Sequence, residues 1–237
     1  MPTYLYAITG ASHPLHLDGI LGIGDPAAEL RAVRTEQLSA VVSDAPAHLR
    51  AKRRDLVAHQ GVQERLLADG VALPMRFGLV GPDDDHVVAA LEEQGAAYTE
   101  RLQEVGGCME YHLKVAREED DLLREILADS GDVRRLNERT RRRPGAHDDK
   151  MALGELISQE VQARHARMGT ETVHRLAPAA ERTAVSDPTR NHFLIVSFLV
   201  RREKAAAFTE AVHQEAGERG EAYTFRLNGP LPPYSFV

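Results

Sequence analysis

Apolar and polar positions alternate over residues 71–80, where Leu73, Met75, Phe77 and Leu79 are interleaved with Pro74, Arg76 and Gly78. A period of two predicts a strand. Pro74 cannot donate a ladder hydrogen bond, which assigns the strand to a sheet edge or to the start of pairing. Arg76 falls on the face opposite Met75 and Phe77, where a permanent cation needs water, a carboxylate or a partner. The flanking segments have a longer period. Leu56, His59, Val62 and Leu66 recur at helical spacing within a predicted helix over 53–69, with Gly70 placed for a left-handed cap. That spacing turns His59 toward the sheet as a core histidine. Val87, Leu91, Tyr98, Leu102 and Val105 trace a second helix, ended by Gly106 and Gly107 and preceded by Asp83, Asp84 and Asp85 as capping carboxylates.

Strands are predicted over 4–9, over 30–35 and 38–44 as a hairpin, and over 108–115. In the last of these Met109, Tyr111, Leu113 and Val115 face inward, and Glu110, His112 and Lys114 form a polar outer face. Residues 11–24 are read as a loop. Its His13 and His16 are separated by Pro14, which argues against a shared metal, and Gly19, Gly22 and Gly24 lack the Lys-Ser/Thr ending of a phosphate loop. The order β, β-hairpin, α, β, α, β over 1–117 predicts a ferredoxin-like α+β domain with an added strand, both helices on one sheet face.

Residues 118–237 form a smaller α+β domain with extra helices. Leu122, Leu123, Ile126 and Leu127 mark a short helix, and Arg139, Arg141, Arg142 and Arg143 precede a Pro144-Gly145 turn. A long helical region over 148–180, interrupted at Gly169, carries a thin apolar stripe that includes Ile157, Val161 and Met168. So sparse a stripe either projects from the body or expects a partner to cover it. A strand pair follows over 183–186 and 191–200, the second continuously apolar and so covered on both faces. A helix over 203–219, stopped by Gly220, and a strand through Tyr223, Phe225 and Leu227 complete the domain. The ending over 229–237 is proline-rich and extended. Leaving its Leu231, Tyr234 and Phe236 in water forgoes about 1.5–3 kcal/mol for each large apolar side chain, which favours packing onto this chain or insertion into another.

Composition narrows the function classes. With 237 residues, 43% hydrophobic and 27% charged, the chain has material for a real core. A count of 29 Lys and Arg against 36 Asp and Glu gives −7, and aromatic content is 5% with no Trp. Phosphate neutralisation and base stacking both lack material, so nucleic acid is not an expected partner. The single Cys108 excludes an internal disulfide and cysteine-rich metal sites, and its place in a strand predicts a buried thiol. No leader pattern precedes residues 4–8 and no stretch is long enough to span a bilayer, which predicts a cytoplasmic protein. No cofactor or metal is expected. The candidates for an enzymatic site, His59, Arg76, Glu110 and His112, have no spacing that builds a catalytic constellation.

Three segments carry a resemblance: Tyr4-Leu5-Tyr6-Ala7-Ile8, Leu73-Pro74-Met75-Arg76-Phe77-Gly78, and Gly229-Pro230-Leu231-Pro232-Pro233-Tyr234-Ser235-Phe236. With His59 between the first two, their order resembles that of the gas vesicle accessory proteins of the GvpF/GvpL family. The resemblance implies a non-enzymatic protein of two α+β domains that binds the hydrophobic major shell protein during nucleation or growth of the gas vesicle. Other accessory proteins are further implied partners. Residues expected to meet a partner are Arg76, Ile157, Val161, Met168, Leu231, Tyr234 and Phe236. The alternative is a tandem ferredoxin-like enzyme binding haem or another small molecule.

Overall fold

Tyr4, Tyr6, Ala7, Ile8 and Thr9 are all buried, so the first strand, β1 (Thr3–Gly10), needs cover on both of its faces. A computed structural model describes residues 1–142 and 147–237 and shows how that cover is built. The chain is α+β and divides into two compact units, Met1–Glu110 with Pro230–Val237, and Tyr111–Gly229.

In the first unit β1 is followed by β2 (Leu21–Gly24), β3 (Ala27–Glu29), β4 (Arg31–Arg34) and β5 (Leu38–Asp44). Then come α1 (Arg53–Asp69), β6 (Ala72–Pro74), β7 (Val80–Gly81), α2 (Asp84–Glu93) and α3 (Gly95–Val105). The main sheet has the order β4-β5-β1-β6, with β7 also pairing to β1. The β1–β5 ladder is antiparallel and slips register between Leu5 and Ala7. Val62, Leu66 and Leu67 of α1 join Tyr4, Tyr6 and Val41 in one apolar cluster. Each such fully buried side chain contributes about 1.5–3 kcal/mol.

Several expectations change here. Residues 11–24 are not wholly loop, because β2 and β3 form a small antiparallel hairpin. Gly22 is needed there because a Cβ would collide with the Tyr6 hydroxyl, a steric requirement unrelated to phosphate. The predicted strand over 71–80 pairs only at its two ends. Gly78, at φ +96°, turns the backbone between β6 and β7, a conformation that suits glycine. Pro74 does lie on the terminal strand of the sheet order. Gly70 is extended rather than left-handed, and the reason for glycine is room: a Cβ would lie 2.8 Å from the His13 ring. The single helix expected through Val105 is two, broken at Gln94.

The second unit contains most of β8 (Cys108–Arg117), which belongs to a second sheet and not, as expected, to the first. It continues through α4 (Glu119–Asp129), α5 (Gly131–Arg142), α6 (His147–Leu176), β9 (Arg182–Ser186), β10 (Leu194–Arg201), α7 (Ala205–Arg219) and β11 (Tyr223–Leu231). The sheet order is β11-β8-β10-β9, and β10 pairs antiparallel with β9. Every residue of β10 but the last is buried, as its continuous apolar run requires. Helix α6 runs unbroken through Gly169, which is buried against Leu194. Tertiary packing overrides a propensity penalty of about 1 kcal/mol at that position. Gly220 has the left-handed φ of +79° expected after α7. The predicted turn at Arg143, Pro144 and Gly145 lies outside the described residues. Among the described residues no helix is long and apolar enough to cross a membrane.

Candidate functional site

The three segments that drew attention in the sequence meet within the first unit, around a polar cluster enclosed by aromatic rings. Helix α1 places His59 and Gln63 one turn apart on its buried face, toward β1. The Tyr4 hydroxyl is 2.9 Å from His59 Nδ1, and His59 Nε2 is 3.0 Å from the Met75 carbonyl. A carbonyl only accepts, so Nε2 carries the proton and Nδ1 accepts from Tyr4. The Gly78 N–H then donates to the Tyr4 oxygen at 3.3 Å. The side-chain amide of Gln63 donates to the carbonyls of Tyr6 and Met75, both at 2.7 Å. Its contact with His59 Nε2 at 2.9 Å brings two donors together and is therefore not a hydrogen bond.

This tautomer agrees with the electrostatics. Burial holds the His59 ring below the usual imidazole range, against the favourable effect of the Met75 carbonyl. Burial likewise raises the Tyr4 hydroxyl well above the ordinary phenol range. Both groups are neutral at pH 7 and their polar atoms are engaged. Rings complete the enclosure, with Tyr4 edge-on to Tyr6 at 4.9 Å, Tyr6 stacked on His59 at 5.5 Å, and Phe77 edge-on to His59 at 5.6 Å. What the arrangement does is fasten the 74–78 backbone to α1 and β1.

The chain end covers this cluster. The Tyr234 hydroxyl donates to Gln63 Oε1, and burial pushes its pKa up to about 12. The Ser235 N–H and hydroxyl donate to the two oxygens of Glu110, at 2.8 and 2.7 Å. Arg101 donates to the Phe236 carbonyl at 2.8 Å, and the Phe236 side chain is 2% exposed. Glu110 is thus buried and bonded, not part of a wet outer face as its alternation suggests. Leu231 is half-buried at the end of β11, the edge strand that tolerates Pro230.

Arg76 stands apart. It is exposed on the turn and forms no ion pair among the described residues, with Leu79 at 45% and Val80 at 40% exposed beside it in sequence. In the second unit Ile157 and Val161 are half-buried against Leu122, Ile126 and Val133, so α4 and α5 supply the cover that the thin stripe of α6 seemed to seek from a partner. Met168 is half-buried on the same helix. The enzymatic candidates are engaged separately: His59 and Glu110 as described, His112 Nδ1 at 3.1 Å from the Ser197 hydroxyl, and Arg76 in solvent. His13 uses both ring nitrogens on the backbone of Leu15 and Leu66, and among the described residues no cluster of three His, Cys, Asp or Glu side chains is suited to a metal. Gln63 and Arg101 are the residues of this cluster that sequence reasoning missed. For Gln63 a signal existed in its i, i+4 relation to His59.

The family model described as gas vesicle synthesis protein GvpL/GvpF matches residues 2–237. The chain belongs to the GvpL/GvpF family. Gas vesicle protein F of a Streptomyces species is 41% identical over 240 residues, covering the whole of both chains. Gas vesicle protein L of the same strain is 30% identical over 259 residues, covering 99% of this chain and 92% of that one. Among solved structures, GvpF from Anabaena sp. superposes with a TM-score of 0.85 at 22% identity, over 99% and 97% of the two chains. GvpF from Microcystis aeruginosa gives 0.80 at 22% identity, over 99% and 98%. The GvpL/GvpF fold therefore extends over this whole chain.

Proposed function

We propose that this protein binds the hydrophobic major shell protein of the gas vesicle in the cytoplasm, during nucleation or growth of the vesicle wall. The observation that carries this reading is the family match over 2–237, since the family is one of gas vesicle synthesis. A shell subunit presents apolar surface that aggregates if left in water, so an assembly factor must offer surface of the same character and then release it. The exposed Arg76, Leu79 and Val80 are such a surface, an apolar edge with one cation. On this reading the molecule is two α+β modules, the first a modified ferredoxin-like one, and the tail from 230 shapes that module by holding Gln63, Arg101 and Glu110. Other accessory proteins of the vesicle are further partners.

The test is co-expression with the major shell protein from the same gene cluster, followed by affinity capture of this chain. Retention and improved solubility of the shell protein, lost in an Arg76→Glu, Leu79→Asp double variant that melts like the wild type, support the proposal. A wild-type chain that is folded and monodisperse yet retains no shell protein overturns it.

A further inference from the structure

The second unit carries two adjoining cavities that the proposed shell contact does not use. One, of about 590 Å³, is an apolar groove between α6 and the β9–β10 pair, lined by Ala166, Gly169, Val173, Val185, Phe193 and Leu194. The other, of about 460 Å³, is lined by Arg117, Gln162, His165, Arg190 and His192. His165, Ala166, Pro188 and Phe193 line both, so the two are continuous. Neither lining includes a carboxylate, although the chain as a whole is at −7.

The polar end holds two donors or acceptors without partners. Arg117 pairs with Glu125 through one terminal nitrogen, and its guanidinium lies 4.9 Å above the Tyr223 ring. Its side chain is 7% exposed, yet Nε is buried with no hydrogen-bond partner. His165 stacks on Phe193 at 4.7 Å, and its Nε2 is likewise buried and unpartnered. Both residues line the cavity, where Arg190 and His192 add further cationic and imidazole groups to the wall. An anion fits a lining of arginines and histidines. At the apolar end, β9 terminates the sheet order and Val185 is 62% exposed on it.

We propose that the groove and its polar end together dock an extended segment of a partner protein that joins apolar side chains to an acidic one. The segment adds along β9 by main-chain hydrogen bonds. Its apolar side chains lie against Val173, Val185 and Leu194, and its carboxylate enters beside Arg117 and His165. The strand edge supplies affinity that is indifferent to sequence, and the anion pocket fixes register. This site is separate from the Arg76 surface and stands whether or not the shell protein binds there.

The probe is a fluorescein-labelled octapeptide with alternate valines and a single glutamate near one end, both termini capped, measured by anisotropy on the full-length protein. Its twin has glutamine in place of glutamate. The expected result is saturable binding of the acidic peptide, weakened about tenfold in the glutamine twin by loss of one charge-assisted contact. Val185→Glu and His165→Phe should each weaken the acidic peptide at least fivefold while leaving the unfolding transition in place. Arg190→Ala is the alternative should His165→Phe fail to fold. Hydrogen exchange should slow at 182–186 when the peptide binds. Equal affinity for the two peptides, no binding of either, or binding that Val185→Glu leaves unmoved would overturn the proposal.

Discussion

Replacing Phe236 by alanine tests whether the chain end is part of the fold of the first unit. The ring is 2% exposed, and the segment carrying it is held by Arg101 on the Phe236 carbonyl and by Glu110 on Ser235. Truncation removes a transfer term of about 1.5–3 kcal/mol, and the void left behind brings typical Phe→Ala losses to about 3–5 kcal/mol. Taking the lower end of that range puts the expected loss at about 3 kcal/mol. In a chain of this size each kcal/mol moves the melting temperature by roughly 2–4 °C, so a fall of about 6–12 °C is expected. Circular dichroism melts of the full-length protein measure it. Val237→Ala, at a position 38% exposed, is the control and should fall within about 0.5 kcal/mol of wild type. A Phe236→Ala melt within 2 °C of wild type would refute the reasoning, because no buried ring could then have been removed.

Two further outcomes follow from the same geometry. The His59 ring has a native pKa below its ordinary value, so between that pKa and about 6.5 the unfolded chain binds a proton that the native one does not. His59 thus contributes stability that is complete above about pH 6.5 and lost as pH falls below it; urea midpoints between pH 7.5 and 5 should decline, less steeply in His59→Gln, and a parallel decline would contradict this assignment. Gly70→Ala puts a methyl 2.8 Å from the His13 ring, which must swing off the Leu66 carbonyl that it meets at 3.0 Å. The expected loss is about 1 kcal/mol of stability. The His13 pKa, held low mainly by burial, should return toward its ordinary value in an NMR titration, and an unmoved pKa would show that the ring had not been displaced.

Most of the elements are legible in the amino-acid order alone, because their signals are local. Residues 53–69 and 38–44 read as the helix and strand that α1 and β5 are, since apolar spacing and terminators act within one or two turns of chain. It also showed that β10 must be covered on both faces, that His59 belongs to the core and that Asp83 caps α2, where its carboxylate accepts from the His86 N–H at 2.9 Å. Three motifs marked the family through residue identity alone. Where strands pair and what covers a polar group emerge from the packed chain. Alternation gives β8 two faces but does not say which sheet it joins, because a strand's pairing partners are separated from it by loops of any length. The same alternation sent Glu110 to solvent, and a segment more than a hundred positions away supplies its hydrogen bonds instead. Ile157 and Val161 read as uncovered because the spacing of Leu122 and Ile126 gives α4 an apolar face without saying which helix that face meets. Periodicity fixes which residues share a face, and burial depends on what the rest of the chain brings to it.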